Sequence, residues 1–195
     1  AWGLQVWRAP LADLEVRESL HAYRDFYAQV RSLLEHLCER FGGFVLYDLH
    51  SYNHRRAGPG APATPASLAP EINVGTGSLD ARRWGHVVDT FVERLRRHDF
   101  LGRPLDVREN VNFRGGYLSR WVHRQFGDSG CALAIEVKKF FMDEWSGHVD
   151  ERLLVEIGRA LKSTTGPVLE VALPPPRTRP AHAGSPRRPA APHGR

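Results

Sequence analysis

The chain has two cysteines among 195 residues, and neither sits in a spacing that suggests a disulfide framework. Cys38 and Cys131 each lie in an apolar pattern, where a free thiol behaves as a small hydrophobe, so a reducing, cytoplasmic setting is expected. No run of about 18 apolar residues is present to cross a bilayer, and the N-terminal residues lack the basic-then-apolar layout of a secretion signal. A membrane protein is therefore not expected. The body also lacks a charge excess. Of the 27 lysines and arginines, five arginines (177, 179, 187, 188 and 195) follow Pro174 with no acid among them, which leaves 22 bases against 22 acids in residues 1–173. A balanced body gives no electrostatic footprint for nucleic acid, and no such partner is expected. Seven of the 14 prolines share that basic tail, which has no bulky aliphatic residue with which to offset its ordering entropy. Residues 174–195 are read as a disordered extension, and residues 1–173 as one domain with a single sizeable core.

What is present is a regular alternation of elements. Leu20, Tyr23, Tyr27, Val30, Leu34, Leu37 and Phe41 recur in steps of three and four, the stripe of an amphipathic helix, and Gly42-Gly43 stops it. Phe44 to Leu49 reads as a buried strand. Residues 57–70 hold four prolines and no charge, an irregular loop of the kind that often covers a site. Asp80 is a plausible N-cap for a second helix carrying Trp84, Val87, Val88, Phe91 and Leu95 on one face. Residues 105–108 suggest a short strand, Tyr117 to Phe126 a third helix, Cys131 to Val137 a third strand, and residues 149–162 a last helix. Strands separated by helices imply an α/β fold: a three-layer sandwich with a mostly parallel or mixed central sheet and helices on both faces.

Chemistry in such sheets gathers at the carboxyl ends of strands, and two strands here are unexpectedly polar. Asp48 and His50 lie two apart, hence on one face of a strand. Histidine is a common metal ligand that a carboxylate can orient; a hydrogen-bonded strand end with Asp48 as a loop cap is the simpler alternative. Glu136 sits in Ala-Leu-Ala-Ile-Glu-Val, where an unpaired buried carboxylate costs several kcal/mol, on the order of 2–7 for a polar group and more for a charge. Either a structural partner such as Lys138 or Arg114 compensates it, or it is a general base held for proton transfer. The third cluster, Glu109 to Gly116, offers the amides of Asn110 and Asn112 and the guanidinium fork of Arg114, suited to a carboxylate, although a turn explains its two glycines equally well.

Taken in order, Asp48-Leu-His-Ser-Tyr52, Pro70-Glu-Ile-Asn-Val-Gly75, Asn110 to Gly116, Ile135-Glu136 and Met142-Asp-Glu144 resemble the motifs of the N-formylglutamate amidohydrolase family, zinc hydrolases related in fold to metallocarboxypeptidases. The resemblance runs from about residue 43 to 147. It implies a zinc ion (Zn2+) bound by His50, with Asp48 orienting that ring. It also implies Glu136 as the catalytic base, Arg114 as a second catalytic group, and Asn110, Arg114 and Ser51 as substrate-binding residues. The implied substrate is a small carboxylate-bearing amide, with N-formyl-L-glutamate giving formate and glutamate. A catalytic zinc takes about three protein ligands, and the family supplies the others from a segment preceding the first helix, so the domain is expected to be N-terminally incomplete and inactive as it stands. Two other His-x-x-Glu pairs, His36 with Glu39 and His148 with Glu151, are read as surface groups. A metallocarboxypeptidase-like peptidase and a non-catalytic binding module on the same fold are the alternatives.

Overall fold

The computed structural model describes residue 5 and residues 7–173; the basic tail from residue 174 lies outside the described residues. Four helices and four strands alternate along the chain. They are α1 (Asp13–Phe41), β1 (Phe44–Tyr52), β2 (Ile72–Gly75), α2 (Ala81–Arg97), β3 (Val107–Glu109), α3 (Tyr117–Phe126), β4 (Gly130–Lys138) and α4 (Glu151–Ala172). The strands form one open mixed sheet in the order β1-β4-β2-β3. β1 runs parallel to β4 and β2 parallel to β3, while β2 and β4 pair antiparallel. The expected α/β sandwich is the observed architecture.

Strand alternation divides the sheet into two unlike faces. On one, Leu133 and Ile135 of β4 and Ile72 and Val74 of β2 meet Val87, Phe91 and Leu95 of α2 and Ile157, Ala160 and Val168 of α4, the larger core. On the other, Phe44 and Ala132 meet Leu34 of α1 and Trp121, Val122 and Phe126 of α3. The second core is smaller and lies toward the amino ends of β1 and β4. Their carboxyl ends on that same face carry Asp48, His50 and Glu136, because paired residues of a parallel ladder share a face. The functional candidates therefore occupy the part of the sheet that the helices leave less covered.

Local sequence accounts for most boundaries. Gly42 closes α1 in the left-handed conformation at φ 82°, with its N–H on the Cys38 carbonyl at 2.8 Å. The Asp80 carboxylate accepts from Arg82 N–H and starts α2, and Asp150 does the same for α4 through Leu153 N–H. Three elements depart from the sequence reading. The apolar stripe of α1 is buried only in its second half: Leu34 is 3% exposed, whereas Leu20 and Tyr23 are 45% and 43% exposed. β2 has only four residues, all buried, too short to show a periodicity. The last helix continues ten residues past the expected end, through Pro167. Pro167 removes one helical hydrogen bond, yet Thr164 and Val168 are buried against the larger core, and the Thr164 hydroxyl meets Tyr47 OH at 2.8 Å. Packing of that last turn and a half outweighs the local preference to stop.

Candidate active site at the carboxyl ends of β1 and β4

His50 of β1 stands directly beside Glu136 of β4 in the parallel register, and Asn73 of β2 flanks Glu136 on its other side. All three belong to the face opposite the larger core. His50 Nε2 lies 2.7 Å from Asp48 Oδ1. The carboxylate is 7% exposed and the imidazole 52% exposed, so a buried acid fixes the orientation of a ring that reaches solvent. The second oxygen of Asp48, Oδ2, is buried with no partner among the described residues.

Neither structural partner considered for Glu136 is paired with it among the described residues. Lys138 donates instead to the Ala69 carbonyl at 2.9 Å, and among the described residues no hydrogen bond or ion pair reaches the Glu136 carboxylate from Lys138 or Arg114. Burial pushes its pKa up; the neighbouring His50 draws it down and Asp48 pushes it up again. Glu136 is thus a carboxyl with raised proton affinity, set beside the His50 imidazole in the strand register.

A cavity of about 580 Å³ opens over this group, lined by His50, Ser51, Tyr52, Asn53, Arg56, Phe113, Glu136 and Trp145. Ser51 borders it even though alternation along the strand turns it away from the face of His50. Arg114 is exposed and is not among the lining residues. Asn110 adopts φ 53°, a left-handed conformation that Asn tolerates better than most residues. Both ends of its amide engage one neighbour, Oδ1 accepting from Thr76 N–H at 2.9 Å and Nδ2 donating to Thr76 Oγ1 at 2.7 Å. Asn110 therefore ties the end of β3 to the end of β2.

Several residues that shape the site lie in or beside the motif segments without having been singled out as site residues. Asn73, fully buried, donates to the Phe113 carbonyl at 2.8 Å and accepts from Asn112 N–H at 3.0 Å, which fixes the loop bearing Phe113. A single amide inside Glu-Ile-Asn-Val-Gly was the available clue. Opposite, Glu144 accepts from Arg55 N–H at 3.0 Å, and its Oε1 lies 2.8 Å from His54 Nδ1. Trp145 Nε1 donates to the Arg55 carbonyl at 2.9 Å. These contacts join residues 54–55 to 144–145 and set Arg56 and Trp145 at the cavity wall. Much of loop 57–70 is also held down: Arg108 donates to the Ser67 carbonyl at 2.8 Å and Asn112 to the Leu68 carbonyl at 2.8 Å. His36, Glu39, His148 and Glu151 are exposed and do not join the site, as the helical spacing of α1 and the N-terminal position in α4 predict.

The donor set fits a metal only in part. Among the described residues no group of three or more His, Cys, Asp or Glu side chains is arranged to hold a metal ion. His50 offers one imidazole, already engaged at Nε2, and Glu136 one carboxylate. The orphaned Asp48 Oδ2 is a buried anionic oxygen of the kind a nearby cation would offset. Together these groups could supply ligands on one side of a cation, and among the described residues they do not complete a site.

Comparison with known proteins places this arrangement. No curated protein matches the chain. Among solved structures it is similar to an N-formylglutamate amidohydrolase from Ralstonia eutropha JMP134, at TM-score 0.63 and 19% identity over 85% of this chain and 57% of that one. It is also similar to the gene product Atu2144 from Agrobacterium tumefaciens, at TM-score 0.53 and 16% identity over 83% of this chain and 56% of that one. At these identities the likeness is one of fold, and the chain spans a little over half the length of either protein. The sequence model of N-formylglutamate amidohydrolase matches residues 1–142, which take in α1, the Asp48–His50 tip of β1, all of β4 and Glu136. With the fold, the order of the motifs and this match in agreement, the chain belongs to the N-formylglutamate amidohydrolase family.

Proposed function

We propose that the polar tip of β1 and β4 hydrolyses the amide bond of N-formyl-L-glutamate or a similar N-acyl amino acid, releasing formate, or the corresponding acid, and the amino acid. Membership of the family supports amide hydrolysis; the observation that carries the residue assignment is the in-register pairing of His50 with Glu136 over one cavity. In this reading Glu136 is the general base. Burial raises its affinity for a proton, so it takes one from the attacking water as the oxygen adds to the acyl carbon. It then delivers that proton to the departing nitrogen as the C–N bond breaks. Asp48 holds the His50 ring in one orientation, and Ser51 at the cavity edge binds substrate. For Asn110 and Arg114 to serve in substrate binding, the substrate must extend past Phe113 to their loop.

We further propose that the metal is zinc and that His50 is one of its ligands, the remaining ligands coming from outside the described residues. Zinc, when bound, would polarise the acyl carbonyl and lower the pKa of water. The test is an assay of formate release from N-formyl-L-glutamate beside a panel of N-acyl amino acids, with zinc counted per chain, run on the protein carrying the segment that supplies the remaining ligands. Turnover is expected to vanish in Glu136→Gln with zinc content unchanged. Undiminished turnover in that variant would remove Glu136 from the mechanism.

A further inference from the structure

The apolar seam of α1 runs on past the part of the helix that the rest of the fold covers. Between residues 16 and 41 apolar side chains recur in alternating steps of four and three, the 3.5-residue repeat with which one helix lies along another. The second half of this seam is covered: Leu34 is buried, and Tyr27, Val30 and Leu37 pack into the cluster that holds Phe44 and Trp121. α3 supplies much of that cover. Its first residue, Tyr117, meets the rings of Tyr23 and Tyr27 at 5.9 and 5.5 Å, and Gln125 near its end bonds Arg31, so α3 runs in the direction of α1 and starts level with Tyr23. Toward the amino end Val16, Leu20, Tyr23 and Phe26 stay 39–51% exposed.

The seam has one basic edge. The residues after Val16, Tyr23 and Val30 are Arg17, Arg24 and Arg31, seven apart and therefore in one row. Where α3 covers this row, Arg31 lies over the Trp121 ring at 5.4 Å and donates to Gln125 Oε1 at 2.6 Å. Arg17 and Arg24 continue the row beyond the start of α3, and both are exposed. Arg124 of α3, over the Tyr117 ring at 5.8 Å, adds a positive charge at the same end. The acids of these turns face elsewhere. Glu18 and Asp25 follow the arginines by one residue, about 100° further round, which puts them on the back of the helix, Asp25 against His21 at 3.2 Å. Glu15 accepts from Ala12 N–H at 2.7 Å, and Asp13, a turn before Arg17, makes no ion pair with it among the described residues.

We propose that residues 13–26 of α1 are a docking face for an amphipathic helix of another protein, one with an apolar seam and acidic residues along the edge that meets Arg17 and Arg24. Charge decides among the occupants such a face could take. The chain's own basic tail has five arginines and no acid, and the arginine row would repel it. A second copy laid antiparallel would set the row against itself, and one laid parallel would set it against Ser19 and Phe26. An acidic helix gives each arginine a partner and covers the apolar row, with anchors that recur every three and four residues. This surface is independent of the chemistry assigned to the cavity.

The test is fluorescence anisotropy of the whole chain with two synthetic three-heptad helices, alike in their leucine seams, one with glutamate and one with lysine on both flanking rows. The glutamate helix is expected to bind about tenfold more tightly at low salt, with the difference shrinking as salt screens it. Arg17→Glu combined with Arg24→Glu should reverse the order. Leu20→Gln combined with Tyr23→Gln should weaken both helices, and Val155→Gln, exposed on α4 over the opposite face of the sheet, should weaken neither. All of these side chains are exposed, so the circular dichroism of each variant should match the parent. Equal binding of the two helices, an order that the charge reversal leaves unmoved, or binding of neither would overturn the proposal. Three further results would overturn it by naming a different occupant: a dimer in sedimentation equilibrium that Leu20→Gln abolishes, binding to phosphatidylserine vesicles without binding to either helix, or helix binding that appears only after residues 174–195 are removed.

Discussion

Gly75, the last residue of β2, packs against the backbone of the loop that leads from Phe113 into α3. A Cβ built there would stand 2.5 Å from Gly115 N, 2.8 Å from Arg114 C and 3.0 Å from Gly115 Cα. Ordinary carbon contacts fall at about 3.5–4.0 Å, so the Gly75→Ala methyl would require the loop to retreat by roughly 1 Å. Backbone cannot yield as a side-chain tip does, and this backbone is also held by Asn73 through Phe113 and Asn112. Overpacking of this kind costs about 1–3 kcal/mol; loss of glycine's freedom in the unfolded chain returns about 0.4–1 kcal/mol. The net destabilisation is about 1–2 kcal/mol, a fall in Tm of about 2–8 °C for a chain of this length. Gly85 supplies the opposite case within α2, where a Cβ would meet nothing within 4 Å. Gly85→Ala should gain about 0.8–1 kcal/mol from helix propensity and raise Tm by about 2–4 °C. Thermal unfolding followed by circular dichroism on both variants measures the two shifts. If the Gly75 variant is as stable as the parent or more so, the close approach of β2 to the 113–116 loop is not as described.

Other consequences are as accessible. Asn73→Ala would strand the Asn112 amide and the Phe113 carbonyl, each of which Asn73 now satisfies. Denaturant titration should show a loss of about 2–3 kcal/mol, and no change in midpoint would contradict the role assigned to this amide. Glu71 is desolvated, which raises its pKa, but hydrogen bonds from Arg103 at 2.7 and 2.9 Å and from Asp106 N–H at 3.0 Å outweigh that and hold it below the usual carboxylate range. A depressed acid stabilises the fold above its unfolded pKa and loses that contribution as pH falls through the folded value. Parent and Arg103→Met should therefore differ in Tm near neutrality and converge in acid; a gap that persists at low pH would mean the pair matters through packing alone. Burial pushes the Cys131 thiol up to about 12, whereas Cys38 is half-buried beside the Ser129 hydroxyl at 3.4 Å. An aromatic disulfide reagent should titrate Cys38 alone in the folded chain and both thiols in denaturant, and rapid reaction of two thiols in the folded state would place Cys131 nearer the surface than described.

The legible part of this protein is the part in which one strong local term acts alone. The periodic stripes of α1 and α2, the glycine stop at Gly42 and the Asp80 cap are each decided within a few residues, and they appear where the sequence puts them. Glu136 stands out for the same reason, as a carboxyl inside an apolar strand, and its strand partner is His50. The extension of α4 through Pro167 is decided by burial of Val168 and Thr164, which involves strands more than 25 residues away. β2 is four residues long because it needs only to bridge β4 and β3. The cavity wall depends on non-local terms altogether. Arg56 and Trp145 are unremarkable in sequence, and they line one space because residues 54–55 bond to residues 144–145 across 89 and 90 positions of chain. The same logic separates the two arginines. Arg114 stands in a motif but is not among the residues lining the cavity, while Arg56, also exposed, stands in none and borders it. Motif membership reports which segments come together at the site; the packing of those segments decides which of their side chains border the cavity.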